Sequence, residues 1–394
     1  MSAYPSTPLG SCVLRVETWN PLRAEPDEEF RYVDLSAVDQ DTKSITEARE
    51  IACADAPSRA RQLVRSGDVL VSTVRPNLNG VARVHDDLNG ATASTGFCVL
   101  RPDPEKLSGS YLFHWVKSAA FVGDMVSKAT GASYPAVSDR IIFESLFPLA
   151  PLEEQRRIAA ILDQAETLRT QRRTALALLD SLTQSLFLDM FGNPVANPKG
   201  WAIGKIGDML ESASYGTSEK SGTEGEFPVL RMNNITRNGD LDLGDLKYMD
   251  LHPTDHKKYL VRAGDVLFNR TNSAELVGKA AIVPASAPPL AYAGYLVRLR
   301  VNEANHPMYL ARFLNTPYAK RMLRGMCKSI VGMANINAKE IQAMRIALPP
   351  LPLQQTFAPR IAAIEALKAT HRHALAALDA LFASLQQRAF AGQL

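Results

Sequence analysis

The chain has few cysteines, no long apolar run and almost no net charge. Its 394 residues contain four cysteines, none of them in a C-x-x-C pair, so neither a zinc site nor a disulfide framework is predicted. No segment approaches the ~18 apolar residues of a membrane span, and no charged-then-apolar leader opens the sequence. The expected location is therefore the cytoplasm. A formal net charge of +3 permits a local nucleic-acid-binding patch without demanding one.

The sequence motifs of common catalytic sites are also missing. There is no G-x-x-x-x-G-K-[ST] loop, no G-x-G-x-x-G after a strand, no H-E-x-x-H and no G-x-S-x-G. The Asn-Pro pairs at 20–21, 193–194 and 197–198 lack the second proline and the aromatic residue that amino-methylating enzymes use. His371 and His373 stand two apart on a predicted helix and point to different faces, which makes them a poor metal pair. We therefore expect no catalytic residue, no metal site and no cofactor in this chain.

What the sequence does contain is a long internal repeat. The segment PLEEQ at 151–155 reappears as PLPLQ at 350–354, and Phe191 reappears as Phe390, each 350 − 151 = 199 residues later. Upstream, RSGDVL at 65–70 reappears as RAGDVL at 262–267. A repeat of this length indicates two copies of a whole domain and helix, not a solenoid of short units. Two such modules favour contact with two related sites at a fixed spacing.

Each copy has the pattern of a strand-rich domain with a helix near its end. Short β-like runs bounded by turn residues occupy 31–35, 68–72 and 96–100 in the first copy, and 227–232, 265–270 and 295–299 in the second. A helix is predicted over 111–126 in the first copy and over 308–324 in the second. Polar, glycine-bearing loops follow at 130–135 and 331–337.

Each copy ends in a long amphipathic helix. In the first helix, the apolar seam is predicted to contain Ile158, Ile161, Ala165, Leu168, Ala175, Leu179, Leu182 and Leu186, with a polar interruption at Arg172. Adding 199 gives a second seam from Phe357 to Leu385, with Arg360 as a weak point and His371 as its interruption. Steps of three and four are typical of a heptad seam. We prefer a mutual coiled coil to two helices lying on separate domains, because the apolar stripe is narrow.

Polar side chains that could read DNA bases cluster in the predicted loops. The first domain supplies Thr73, Arg75, Asn77, Asn79, Lys128, Thr130 and Ser133. The second supplies Tyr215, Thr217, Ser218, Lys220, Arg231, Asn233, Asn234, Asn269, Arg270, Thr271, Asn272 and Lys328. Arginine and lysine match guanine edges and asparagine matches adenine edges, whereas the same residue types also hold phosphates without reading sequence. For any single residue, a turn former or a solvated loop residue is the alternative.

Taken together, these motifs resemble the specificity subunit of type I restriction-modification systems. The resemblance is carried by the repeated Pro-Leu-x-x-Gln at 151–155 and 350–354, and by Gly-Asp-Val-Leu at 67–70 and 264–267. It is also carried by Asn-Pro-Lys-Gly-Trp at 197–201 and by Tyr-Gly-Thr-Ser at 215–218. The resemblance covers nearly the whole chain, and the order and duplication of the motifs make it specific.

The resemblance implies an α+β fold with two tandem pseudo-symmetric α/β target-recognition domains and two long helices packed as an antiparallel coiled coil. The domains would be 1–148 and 194–348, with a central spacer helix at 149–193 and a C-terminal one at 349–394. Each domain would read half of a bipartite site in double-stranded DNA. Two DNA methyltransferase subunits and restriction/translocase subunits would join the assembly. S-adenosylmethionine, ATP and magnesium would belong to those partners.

Three other functions stay open. The chain could be the DNA-specificity module of a methyltransferase in another phage-defence system, or a self-contained DNA methyltransferase. It could also be a scaffold that uses its coil for assembly without DNA. The missing cofactor motifs count against the self-contained enzyme.

An antiparallel pairing also makes a geometric prediction. The midpoints of the two seams are Arg172 and His371, so these polar residues should lie side by side near a pseudo-twofold axis, and Ile158 should approach Leu385. A polar pair of this kind sets the register of a coiled coil at some cost in stability.

Overall fold

A computed structural model describes residues 4–273, 275–330 and 333–394, with the backbone alone for 328–330 and 333. The predicted loop at 331–337 therefore lies partly outside the described residues. The chain divides into two compact units: unit 1 is Met1–Arg173 with His373–Leu394, and unit 2 is Thr174–Arg372. Each unit takes in half of each long helix, whereas the predicted domain limits follow the helix ends and stay a prediction. No helix in the described ranges is long and apolar enough to cross a membrane.

Unit 1 is built on short strands. They are β1 Ser6–Pro8, β2 Val13–Leu14, β3 Glu29–Val33, β4 Val38–Asp39, β5 Ser44–Ile45, β6 Arg49–Ala52, β7 Ala60–Leu63, β8 Val69–Ser72, β9 Val81–Arg83, β10 Thr92–Ser94, β11 Phe97–Pro102 and β12 Leu146–Pro148. One four-stranded sheet has the order β2-β11-β8-β9 and another the order β6-β3-β10-β7. The helices are α1 Gly109–Val116, α2 Ala119–Lys128, α3 Asp139–Glu144 and the start of α4, which spans Leu152–Phe191.

Unit 2 repeats this arrangement. Its strands are β13 Ala202–Lys205, β14 Leu210–Tyr215, β15 Phe227–Leu230, β16 Lys247–Met249, β17 Val266–Asn269, β18 Thr271–Asn272, β19 Ala280–Ile282, β20 Ala291–Tyr292, β21 Leu296–Val301, β22 Lys328–Ile330, β23 Met333–Asn335 and β24 Arg345–Leu348. The sheet β14-β21-β17-β19 corresponds to β2-β11-β8-β9, and the pair β13-β24 corresponds to β1-β12. The helices are the end of α4, α5 His256–Tyr259, α6 Pro307–Leu314, α7 Pro317–Met326, α8 Ala338–Ala343 and the start of α9, which spans Leu351–Ala391. The predicted tandem α+β fold is confirmed.

The helix predicted in each domain is broken in two, which corrects the single helices expected over 111–126 and 308–324. In unit 1, Ser118 separates α1 from α2, and its hydroxyl accepts a hydrogen bond from the Phe121 amide. In unit 2, Thr316 caps α7 through the Ala319 amide, and Pro317 is the first helical residue. A capping hydroxyl starts a new helix because it satisfies an amide that has no carbonyl partner in the first turn. Unlike Ser118, the Thr-Pro pair was a visible breaker in the sequence.

The Gly-Asp motif forms a tight turn that ends in a buried ion pair. Gly67 has φ +88° and Gly264 has φ +86°, a conformation that residues with a Cβ rarely adopt. The Asp68 carboxylate accepts hydrogen bonds from Nε of Arg101 at 3.0 Å and from Nη2 at 2.8 Å, and both side chains are buried. Asp265 receives Arg300 in the same bidentate geometry. The repeated motif is therefore part of the framework of each module.

The glutamine of Pro-Leu-x-x-Gln holds the start of each long helix. Gln155 is fully buried; its oxygen accepts from the Ser108 amide at 2.8 Å and its amide donates to the carbonyls of Lys106 and Ala150. Gln354 is also fully buried and accepts from the His306 amide at 2.8 Å. Each glutamine thus ties a long helix to the loop before α1 or α6.

Within each unit the two long helices pack antiparallel, as predicted. In unit 1, Arg157 of α4 donates to the carbonyl of Leu394, and Arg169 pairs with Asp379. Later residues of α4 therefore contact earlier residues of the C-terminal segment, which is the order of contacts in an antiparallel pair. In unit 2, Asp180 pairs with Lys368, and the ring of Phe191 contacts that of Phe357.

The predicted seam is wrong at four leucines. Leu168, Leu182, Leu367 and Leu381 are 43–53% exposed. At three of the four places the next residue is buried instead: Thr183, Lys368 and Phe382. Lys368 can occupy such a position because its ammonium pairs with Asp180 at 2.6 Å and Glu365 at 2.9 Å. Ile158 and Leu385 pack in one core, whereas Arg172 and His371 belong to different units and their pairing stays a prediction.

Candidate nucleic-acid interface

Seven of the candidate residues of the second domain line one open groove of about 640 Å³. They are Thr217, Ser218, Lys220, Arg231, Asn233, Arg270 and Thr271. They come from three separate parts of the chain: the loop after β14, the turn after β15, and the junction between β17 and β18. The fold brings these three parts together. Tyr295, half exposed, lines the same groove.

Arg270 is held at the groove through its side chain and its backbone. Its guanidinium lies over the Tyr215 ring, 4.9 Å from the centroid, and one Nη donates a long bond of 3.4 Å to the Gly294 carbonyl. Its backbone amide and carbonyl are bonded to Tyr295 and Ile336. A guanidinium stacked on an aromatic face is oriented while most of its donors stay unused. This is the arrangement that a base contact requires.

Arg231 and Asn233 share one carboxylate. Arg231 Nη2 donates to Oδ2 of Asp245 at 2.9 Å, and Asn233 donates to the same oxygen at 3.0 Å. Asp245 is 72% exposed at its side chain, so this pair is open to solvent. An acceptor at the mouth of the groove orients both donors and also places one negative charge beside them.

Several candidates of the second domain are buried or hydrogen-bonded within the domain. Asn234 is buried, and its amide bonds the carbonyls of Asp242 and Asp245. Thr217 is 3% exposed although it lines the groove, and the Tyr215 hydroxyl accepts from the Ala338 amide. Asn269 is fully buried with no hydrogen-bond partner at its side-chain amide among the described residues.

The remaining two candidates of this domain stand in β18 and β22. The side chain of Asn272 accepts from the Ser273 amide. Lys328 stands in β22, and its side chain lies outside the described residues.

In the first domain the structure joins Arg75 to the loop at 130–135. The Arg75 amide donates to the Pro135 carbonyl at 2.7 Å, and its guanidinium lies 4.7 Å from the centroid of the Tyr134 ring. Arg75 is exposed, has φ +50°, and Tyr134 is 68% exposed. Thr130 and Ser133 of the same loop are exposed as well. An arginine on a tyrosine thus occurs in both domains, although Arg75 and Arg270 are not equivalent in the repeat.

The other candidates of the first domain divide between surface and framework. Asn77 is exposed, and Lys128 is exposed but paired with Asp124 at 2.8 Å. Asn79 has φ +47°, and its carbonyl accepts from Lys43. Thr73 is buried and donates to the Gly96 carbonyl at 2.9 Å.

Our sequence reasoning missed the two exposed tyrosines. Tyr134 follows the candidate residue Ser133 and Tyr295 follows Gly294, so an aromatic residue in a glycine-bearing segment was the available signal. Among the described residues, no group of three His, Cys, Asp or Glu side chains could hold a metal ion. Both surfaces offer hydrogen-bond donors, aromatic faces and few carboxylates, which suits recognition of base edges and phosphates.

Comparisons with known proteins identify the family of the chain. The family model "Type I restriction modification DNA specificity domain" matches residues 62–177 and 198–379, most of the chain. The EcoKI type I restriction enzyme specificity subunit of Escherichia coli K12 is 24% identical over 356 residues, which are 84% of this chain and 76% of that protein.

Two solved structures show the same fold. A chain from a study of assembly and conformational transition of the type I R-M system is 28% identical with a TM-score of 0.58, covering 99% of this chain and 98% of that one. The type I S subunit of M. genitalium shares the fold at 13% identity and a TM-score of 0.61, covering 99% of this chain and 96% of that one. The chain described above is therefore a member of the family of type I restriction-modification DNA specificity subunits.

Proposed function

We propose that this chain reads a bipartite DNA site, one half with each module, and brings two DNA methyltransferase subunits and restriction/translocase subunits to it. The observation that carries the proposal is the contrast between a repeated framework and unrepeated exposed loops. Asp68–Arg101 and Asp265–Arg300 recur as the same bidentate ion pair, whereas the donors around Arg75 differ from those around Arg270. One framework with two sets of donors suits two different half-sites.

The helices support two copies of one partner. In unit 1, Leu168 and Leu381 are exposed beside the Arg169–Asp379 ion pair. In unit 2, Leu367 and Leu182 are exposed beside the Lys368–Asp180 pair. The same exposed apolar pair thus recurs beside the same kind of ion pair in both units, which supports a shared interaction surface. Because each unit presents its own pair, we infer one methyltransferase subunit on each unit.

The chain itself would be non-catalytic in this proposal, and the cofactors would be held by its partners. It would act in the cytoplasm, where its DNA target is. Support comes from the sites, which consist of donors and aromatic faces without a nucleophile paired to a base.

The test is methyl transfer with purified components. The chain alone with S-adenosylmethionine and DNA should transfer no methyl group, and adding the methyltransferase subunit should give methylation of one motif. That motif should contain two fixed halves around an unspecified spacer. Methyl transfer by the purified chain alone would show a self-contained methyltransferase. A motif with a single half would contradict the two-module reading.

A further inference from the structure

Unit 2 carries a strongly basic surface that the DNA-reading groove does not include. An open cavity of about 750 Å³ is lined by five cations, Arg237, Lys279, Lys320, Arg321 and Arg324, with Glu275 as the carboxylate among its lining residues. Three of the cations lie on α7, where Arg324 stands four residues after Lys320 and three after Arg321 and is therefore a neighbour of both on the helix surface. The opposite face of α7 buries Ala319 and Leu323 in the core. We call these five cations the α7 basic face.

These cations have no acidic partners within the described ranges. Lys320 donates to the Gly278 carbonyl at 2.6 Å, and Lys279 donates to the carbonyls of Met232 and Ile235. None of the ion pairs among the described residues involves any member of the α7 basic face. Burial together with the charges of Lys279 and Arg324 lowers the pKa of Lys320 to about 7. Burial and Arg237 likewise lower the pKa of Lys279. Like charges held together without a counter-ion are stabilised when an anion binds.

The α7 basic face adjoins the reading groove through two chain segments. Arg231 and Asn233 line the groove, and Arg237, a few residues later, lines the basic cavity. Arg270 and Thr271 line the groove, and Glu275 and Lys279 line the cavity. Lys279 also contacts the segment from Arg231 to Arg237, because its ammonium donates to the carbonyls of Met232 and Ile235.

The corresponding helix of the first module lacks these cations. Helix α2 corresponds to α7, since Ser118 and Thr316 cap the two helices in the same way. At the places of Lys320, Arg321 and Arg324, α2 carries Val122, Gly123 and Val126. A surface for a partner bound by both modules would recur in both. The cations of α7 do not recur, so a ligand of the second module alone fits them better.

We propose that the α7 basic face holds phosphates of the DNA backbone beside the second half-site, a contact without a counterpart in the first module. The proposal rests on the proposed function, since it takes DNA as the ligand. Its chemistry is phosphate recognition by guanidinium and ammonium groups, which positions the duplex without reading its sequence.

The experiment compares binding of the full chain to a mixed-sequence DNA duplex over a range of salt concentrations. Arg321 and Arg324 are exposed, so the double variant R321Q/R324Q should fold, and thermal melting checks this. Each phosphate contact contributes about 0.9 to the slope of log affinity against log salt, so the slope should become shallower by about 2. The single variant R324Q should give about half of that change.

The matched control is R262Q/R345Q, which removes the same charge from two exposed arginines of the same unit. The control should leave the slope unchanged, and the methylated motif should be the same for wild type and both variants. If the slope changes equally in R321Q/R324Q and in the control, the effect is one of net charge, and the proposal is overturned. An unchanged slope in R321Q/R324Q would also overturn it.

Two further measurements separate other ligands. If R321Q/R324Q loses capture of the methyltransferase subunit while its DNA slope is unchanged, the face is a protein contact. If inorganic phosphate alone raises the melting temperature of wild type but not of the variant, and the DNA slope is unchanged, the ligand is a free phosphate compound. Either result would overturn the proposal. A wild-type chain that binds no DNA at all would instead contradict the proposed function.

Discussion

In each module one arginine is held on a tyrosine ring: Arg75 is exposed, and Arg270 is half-buried. Arg75 stacks on Tyr134, and Arg270 stacks on Tyr215. The stacking limits the rotamers of a long side chain and leaves its edge donors for a ligand. A preorganised guanidinium loses less conformational entropy when it binds a base edge.

Arg270→Ala and Arg75→Ala should therefore have reciprocal effects. Arg270→Ala should relax the second half of the methylated motif, and Arg75→Ala the first half, each at about 1–3 kcal/mol if the contact is bidentate. Motif mapping by genome-wide methylation in cells that carry each variant measures this. A change in the opposite half, or the same change from both variants, would contradict the assignment of halves to modules.

Lys320 should give unit 2 a pH-dependent stability. Its pKa is about 7 in the folded chain and near its ordinary value of about 10.5 when unfolded. Below pH 7 the ammonium is charged in both states, and the folded state bears the whole cost of the buried charge. Between these two values the unfolded state binds more protons, so the free energy of unfolding rises with pH, by up to about 1 kcal/mol per pH unit.

Lys320→Met removes this group and should flatten that rise. Denaturant unfolding at about pH 6 and about pH 9 checks the sign: the variant should gain most over wild type at the lower pH. A wild-type chain that loses stability, relative to the variant, as the pH rises over this interval would show that Lys320 is stabilised as a cation.

At the scale of elements, the long helices carry the same ion cluster twice. In unit 1, Arg169 of α4 pairs with Glu166 of its own helix and Asp379 of α9. In unit 2, Lys368 of α9 pairs with Glu365 of its own helix and Asp180 of α4. Each of these residues is 199 positions from its counterpart. The duplicated Leu-Asp at 179–180 and 378–379 is therefore an interhelical ion-pair site in each unit.

The cations of the two ion clusters differ in burial, and this predicts that loss of the aspartate lowers the free energy of unfolding by different amounts. The Lys368 side chain is 1% exposed, whereas that of Arg169 is 16% exposed. Asp180→Asn should lower stability by about 1–3 kcal/mol, because it takes one carboxylate from a buried ammonium. Asp379→Asn should cost less than about 1 kcal/mol, because the surrounding water screens that pair. Denaturant unfolding monitored by hydrogen exchange in each unit measures both, and equal losses would contradict the argument.

At the scale of the whole molecule, duplication predicts the stoichiometry of the partner. L168E/L381E should remove the surface in unit 1, and L182E/L367E the surface in unit 2. Each double variant should bind one methyltransferase subunit instead of two, which native mass spectrometry can count. A buried glutamate without a partner is costly at an interface, so loss of a whole copy is expected.

The control uses exposed leucines that do not recur. Leu178 is 65% exposed and Leu188 is 47% exposed, but Ala377 and Gln387 stand at the corresponding places. L178E/L188E should keep both partner copies. If it loses a copy as the other variants do, the repeated leucines are not the specific contact.

The sequence alone determined the duplication, the two long helices and the family. These follow from the order of residue types along the chain: a Gly-Asp turn, a glutamine at a helix start and an apolar residue every three or four positions are local patterns. The bounds of α4, Leu152–Phe191, agree with the predicted continuous helix. The buried pairs Asp68–Arg101 and Asp265–Arg300 explain why the recurring motif contains an aspartate.

Only the tertiary structure decided which polar and apolar side chains reach the surface. Asn234 and Asn269 are of a residue type that can contact DNA bases, but both are buried, whereas Arg270 and Asn233 line the groove. Leu168 and Leu367 fit the heptad pattern but face outward, because Arg169 and Lys368 take the interior places with carboxylates from the other helix. Burial depends on partners that lie far away in the chain, about 200 residues for these ion pairs, and a local pattern does not contain them.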